Sequence, residues 1–246
     1  MKQVNMLFKN SSYFTKEAYK TLRTNISFCG SDNKVICITS CEQNEGKSTI
    51  SLELARHLCE INLRVLVIDA DLRKSVMLSK NTNESGLVGL SQYLANHIEL
   101  DEAINKTQLP NLDIIFAGHY PPNPTELLDN QRFKDLIKQV REQYDYVIID
   151  TPPLGLVIDA AIVCKSCDAA ILVIAKNVVR MSRAAEIKEQ ILKSGCKILG
   201  LILNDTTKPS KISGQYGKYY KYGKYSKYSK YAKYAKYGKY EKYEKA

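Results

Sequence analysis

The sequence predicts an α/β fold, a mainly parallel sheet covered by helices on both faces, and two observations carry that expectation. From Lys34 onward, short β-branched or apolar runs alternate with amphipathic stretches, the pattern of strand and helix units that feed a parallel sheet. At 246 residues with 44% apolar side chains, the chain can bury one sizeable core but not comfortably two. Strands are expected at 35–39, 64–69, 112–116, 146–150, 169–174 and 198–203. Helices are expected at about 47–60, 87–95, 124–142, 157–165 and 182–194, several opening at a Ser, Thr or Asn and the last closing at Gly195. Ahead of the sheet, 15–28 reads as a helix with Ala18, Leu22 and Ile26 on one face. Ligands of such sheets sit beyond the carboxyl ends of the strands.

The apolar periodicity stops after Asn204, which divides the chain into a domain at 1–207 and a tail at 208–246. From Tyr216 the tail is a K-Y-x repeat holding 11 of the 17 tyrosines: Tyr216, Tyr219, Tyr220, Tyr222, Tyr225, Tyr228, Tyr231, Tyr234, Tyr237, Tyr240 and Tyr243. With no large aliphatic residue after Ile212, such a segment cannot offset its ordering entropy and is expected to be disordered. The net charge of +10 belongs to it, because 1–207 carry 24 Lys+Arg and 24 Asp+Glu while 208–246 carry 12 Lys against Glu241 and Glu244. The neutral body argues against a specific nucleic-acid partner. The longest apolar stretches fall far short of the ~20 residues that span a bilayer, and the N-terminus has no signal pattern, so a soluble cytosolic protein is expected. Seven scattered cysteines suit reduced thiols, and Cys164-x-x-Cys167 stands alone without a second pair, which favours a buried packing role over metal binding.

The segment from Cys41 through Glu42, Gln43, Asn44, Glu45, Gly46, Lys47, Ser48 and Thr49 follows a strand and opens a helix, the context a phosphate-binding loop requires. In such a loop the backbone N–H groups point at phosphates, the lysine reaches the terminal phosphates and the Ser hydroxyl is offered to Mg²⁺. Cys41 replaces the first glycine of the motif, and a bare G-K-S also occurs as an ordinary capped turn. Two further strand ends outweigh the capped turn. Val65–Asp69 runs on through Ala70 into Asp71, and Tyr146–Asp150 ends in a third carboxylate. Carboxylates at these ends are where a metal and an attacking hydroxyl need anions.

These motifs resemble those of the bacterial protein-tyrosine kinases of capsule and exopolysaccharide synthesis, in the Gram-positive form whose cytosolic kinase is separate from its membrane activator. Gly46–Ser48, Asp69–Arg73 and Ile148–Pro153 match the family's Walker A, A′ and B, and Pro121-Pro122-Asn123-Pro124-Thr125-Glu126-Leu127-Leu128 matches its most specific run. The resemblance covers the chain from about Glu17 to the C-terminus. It implies a P-loop NTPase architecture of the MinD/ParA kind, with ATP and Mg²⁺ as cofactors. It implies that Lys47 neutralises the terminal phosphates, that Ser48, Asp71 and Asp150 hold Mg²⁺, and that Asp69 serves the acceptor tyrosine hydroxyl. Residues 42–49, Arg73 and Asn204 would contact the nucleotide; for Arg73 the alternative is structural pairing, and for Asn204 a cap or turn. The tail tyrosines would be the phosphoacceptors. Glu17, Lys20 and Arg23 correspond to the family's E-x-x-R-x-x-R, which supports a homo-oligomeric ring, with Lys20 a departure from the pattern. The implied partners are the cytosolic end of a transmembrane activator, which would hold the kinase at the inner face of the membrane, and a phosphotyrosine phosphatase.

Two other readings compete. A MinD/ParA-type regulatory ATPase carries a second lysine five residues before the main one, where this chain has Glu42. Alternatively the Lys/Tyr tail is a binding module for an anionic membrane surface or single-stranded nucleic acid.

Overall fold

The computed structural model describes residues 1–8 and 11–205. The expected disorder of 208–246 and the eleven tail tyrosines lie outside the described residues. Eight strands form one sheet in the order β1-β4-β5-β3-β6-β2-β7-β8. These are β1 (Lys2–Val4), β2 (Val35–Ser40), β3 (Val65–Asp69), β4 (Ile104–Thr107), β5 (Leu112–Ile115), β6 (Tyr146–Asp150), β7 (Ala169–Ala175) and β8 (Lys197–Asn204). Every pairing is parallel except β4 with β5.

The central strands are buried on both sides, and strict alternation sorts their side chains into two cores. Val65, Val67, Ile36, Ile38 and Ile148 pack on one face with α2 (Lys47–Cys59) and with Ile26 of α1 (Tyr13–Phe28). Leu66, Ile68, Cys37, Val147 and Ile149 pack on the other. That second face is covered by α4 (Leu90–Leu94), α7 (Gln131–Gln143), α8 (Asp159–Cys164) and α9 (Met181–Lys193). Cys164, Cys37 and Cys196 belong to this apolar core, with Cys167 packed against it, and all seven cysteines are free thiols.

All six expected strands occur, β6 with the expected bounds and the others shifted at one or both ends, and the helical segments occur with shifted ends. The single helix expected at 124–142 is two, α6 (Pro124–Asp129) and α7, because Asn130 adopts an extended conformation and its side chain accepts from Phe133 N at 2.9 Å, capping the second helix. The helix expected at 87–95 shortens to α4, preceded by Gly89 in extended conformation. The edge strand β1, its neighbour β4, and two one-turn helices, α3 (Met77–Asn81) and α5 (Leu100–Ala103), were not expected from the sequence. Among the described residues no helix is long and apolar enough to cross a membrane.

Candidate active site

The parallel register brings three strand ends together. Ile38 of β2 pairs with Asp150, and Asp150 pairs with Asp69 of β3, so the strand leading to the P-loop lies beside both acidic ends. The loop after β2 takes left-handed φ values at Asn44 (61°) and Gly46 (91°), and not at Cys41. The missing first glycine therefore leaves no backbone strain. Cys41 is buried, and its carbonyl lies where a Cβ on Gly155 would come within 2.0 Å, so Gly155 is what lets the two loops touch. The loop is latched from inside by Glu45, whose carboxylate accepts from Glu42 N at 2.7 Å and from Ala175 N at 2.9 Å. Asn204 Nδ2 donates to Glu45 O at 2.9 Å. Asn204 thus ties the end of β8 to the P-loop backbone beside Gly46.

The resulting cleft of about 150 Å³ is lined by Gln43, Asn44, Lys47, Ser48, Asp71, Arg73 and Asp150, with Pro152 and Leu156 as apolar wall. A larger cleft of about 400 Å³ shares Asn44, Lys47 and Ser48 and opens past Thr49 toward Glu53, Lys80 and the N-terminal residues Leu7 and Phe8. Asp69 and Asp150 are 1% exposed and Asp71 8%. Burial pushes the Asp150 carboxyl up to about 6 while the Lys47 charge and the Ser48 and Ser51 hydroxyls pull it down. Asp69 is driven well above the ordinary carboxyl range by burial, with the Asp150 and Asp71 charges adding to it and the Ser75 hydroxyl opposing.

Hydrogen bonds fix where these carboxylates face. Asp71 Oδ1 accepts from Lys74 N at 2.9 Å and from Arg73 N at 3.3 Å, winding a tight turn. Asp69 Oδ1 accepts from Asp71 N at 3.2 Å, and its Oδ2 accepts from the Ser75 hydroxyl. Ser51 Oγ donates to Asp150 Oδ1 at 3.2 Å. Ser51 and Ser75 were not anticipated. The one signal for Ser51 is its place one helical turn after Lys47, and nothing in the sequence marks Ser75. Arg73 borders the cleft but spends its guanidinium on Asp159, so the pairing alternative describes its geometry.

The remaining expected residues lie elsewhere. Glu17 and Lys20 form an exposed pair at 2.7 Å on α1. Arg23 is turned inward, its Nη1 donating to His57 O of α2 at 2.6 Å.

Crowding buried carboxylates against one another is unfavourable without a cation, and Lys47 acts on Asp150 within the group. Among the described residues no three acidic, histidine or cysteine side chains could hold a metal by themselves. Mg²⁺ in phosphoryl-transfer sites takes one or two carboxylates and completes its shell with substrate phosphate and water, which this donor set fits.

Comparison with known proteins agrees with this geometry. An AAA-domain family model matches residues 33–197. The tyrosine-protein kinase CpsD of Streptococcus agalactiae is 41% identical over 202 residues, covering 82% of this chain and 88% of that protein. The kinase domain of Escherichia coli tyrosine kinase ETK superposes with a TM-score of 0.76 at 35% identity, covering 82% of this chain and 80% of that one. The septum site-determining protein MinD from Pyrococcus horikoshii, solved with Mg-ADP, superposes with a TM-score of 0.61 at 28% identity over 72% of each chain. The chain, with its P-loop beside three buried strand-end carboxylates, belongs to the bacterial tyrosine-protein kinases.

Proposed function

We propose that this kinase uses ATP and Mg²⁺ to phosphorylate the K-Y-x tail of a neighbouring copy, in the service of capsular or exopolysaccharide synthesis and export. The lining of one cleft by Asp71 and Asp150 with Lys47 and Ser48, with Asp69 paired beside Asp150, carries the reading. Ser48, Asp71 and Asp150 would hold Mg²⁺, which would draw charge from the phosphates during transfer. Lys47 neutralises the terminal phosphate, and the loop amides of 42–48 align it. The acceptor phenol oxygen forms the new P–O bond as the bond to the ADP oxygen breaks. Its proton passes to Asp69, whose raised proton affinity suits a base. Asn204 and Thr49 border the nucleotide.

The α1 face with Glu17 and Lys20 is the proposed contact between copies in a ring, and a transmembrane activator's cytosolic end is the proposed membrane link. A phosphatase would reset the tail. The unphosphorylated tail, with its excess of lysine, would bind anionic lipid until phosphates of about −1.5 to −2 charge each reverse it. The regulatory-ATPase alternative lacks its second lysine, since Glu42 stands there.

The test is a mixing experiment. A Lys47→Met chain with an intact tail is incubated with ATP·Mg²⁺ and an active chain whose eleven tail tyrosines are Phe. Phosphotyrosine on the Lys47→Met chain is expected, and its absence while the unmodified protein labels itself would refute transfer between copies.

A further inference from the structure

The run Pro121–Leu128 is the most specific stretch of the sequence, yet nothing in the chemistry above uses it. Its half-buried Thr125 sits in the first turn of α6, in a polar cluster at the surface that joins α6, the turn after β3 and the start of α8 around the buried Asp159. Asp159, fully buried at the start of α8, forms a two-pronged pair with Arg73, Nε to Oδ2 at 2.6 Å and Nη2 to Oδ1 at 3.0 Å. Thr125 Oγ1 donates to Asp159 Oδ1 at 2.8 Å and accepts from Arg73 Nη2 at 2.7 Å. A buried carboxylate persists only when paired and hydrogen-bonded, and here the Arg73 guanidinium gives it two bonds and the Thr125 hydroxyl a third.

The guanidinium belongs to the turn that shapes the A′ carboxylate. Arg73 N and Lys74 N both donate to Asp71 Oδ1, so the position of Arg73 sets where Asp71 points its other oxygen. We propose that Asp159 and Thr125 are positioning residues for metal binding: through Arg73 they hold the 71–74 turn so that Asp71 faces the cleft beside Ser48. The proposal rests on the reading of Asp71 as a Mg²⁺ carboxylate. It gives the P-P-N-P-T-E-L-L run a task, since α6 delivers the hydroxyl that closes the cluster. Neither residue touches the reacting atoms.

Outer-shell partners of metal ligands typically change metal affinity by about 10–100-fold when removed. The test measures binding, not turnover. Affinity for a fluorescent ATP analogue is titrated against Mg²⁺ and again in EDTA, for the unmodified full chain, Asp71→Asn, Asp159→Asn, Thr125→Val and Thr125→Ser. Asp159→Asn and Thr125→Val should raise the Mg²⁺ concentration giving half of the metal-dependent tightening by about tenfold or more. Thr125→Ser should restore it, and affinity in EDTA should be unchanged because the P-loop is intact. Should Asp159→Asn fail to fold, the Thr125 pair carries the test alone. An unshifted Mg²⁺ midpoint in folded variants, or an equal loss with and without Mg²⁺, overturns the proposal. If Asp71→Asn itself shows no Mg²⁺ effect, the reading of the metal site fails instead.

Discussion

Replacing Asp150 with Asn should stabilise the empty protein while abolishing its chemistry. The carboxyl is 1% exposed and its proton affinity is raised from 3.8 to about 6, mainly by burial and against the pull of Lys47. A shift of roughly 2 units, at about 1.36 kcal/mol each, bounds the penalty for ionising it at about 3 kcal/mol. Because the folded-state value is raised, the folded protein holds this proton more tightly than the unfolded chain. The group's contribution is thus fully present below the unfolded value near 4 and is lost as pH rises through 6. Asn carries no charge and can still accept from Ser51. Urea unfolding without nucleotide should therefore show Asp150→Asn more stable than its parent by on the order of 2–3 kcal/mol at pH 7.5, with the difference vanishing near pH 4. A variant equal to or less stable than its parent at pH 7.5 would refute the claim that these strand ends are electrostatically loaded.

Three other outcomes follow from the same geometry. Cys41→Gly should leave ATP affinity unchanged, because no left-handed φ is needed there, yet lower folding stability by about 1 kcal/mol or more through the lost buried thiol and added chain entropy; melting and nucleotide titration read the two separately. Glu45→Ala strands the Glu42 and Ala175 amides, each costing about 1–3 kcal/mol if unsatisfied, so chemical denaturation should show a loss of about 2–6 kcal/mol and ATP binding should weaken with it. Alanine at Glu17, Lys20 and Arg23 together should shift the mass in light scattering toward monomer. Arg23→Ala alone should also lower the melting temperature, since it removes a bond to α2 that Glu17 and Lys20 do not share.

Much of the fold was legible because the central strands are buried on both faces and so read as unbroken Val/Ile/Leu runs. Strands β1 and β4 escaped notice, being three and four residues long and without a sustained pattern of their own. The break between α6 and α7 was hidden by continuous amphipathic spacing, although Asn130 is a residue suited to cap a new helix. At the site, Lys47, Ser48, Asp71 and Asp150 could be named from local motifs, and they line one cleft. Ser51, Ser75 and Asp159 could not, because their roles depend on partners 99, 6 and 86 residues away that only the sheet register and loop packing bring near. The alternatives left open for Arg73 and Asn204 turned on the same missing information. A guanidinium next to acidic strand ends could have faced phosphate, and the structure gives it Asp159.

The central claim is that this cleft transfers phosphate from ATP to the tail's tyrosines. Its most direct test is to incubate the purified full chain and its Lys47→Met variant with ATP·Mg²⁺ and locate every phosphate by mass spectrometry. Phosphotyrosine within Tyr216 to Tyr243 in the parent, and none in the variant, is the predicted result. ATP consumption without phosphotyrosine in the parent, or tail phosphotyrosine in a Lys47→Met chain incubated alone, would contradict it.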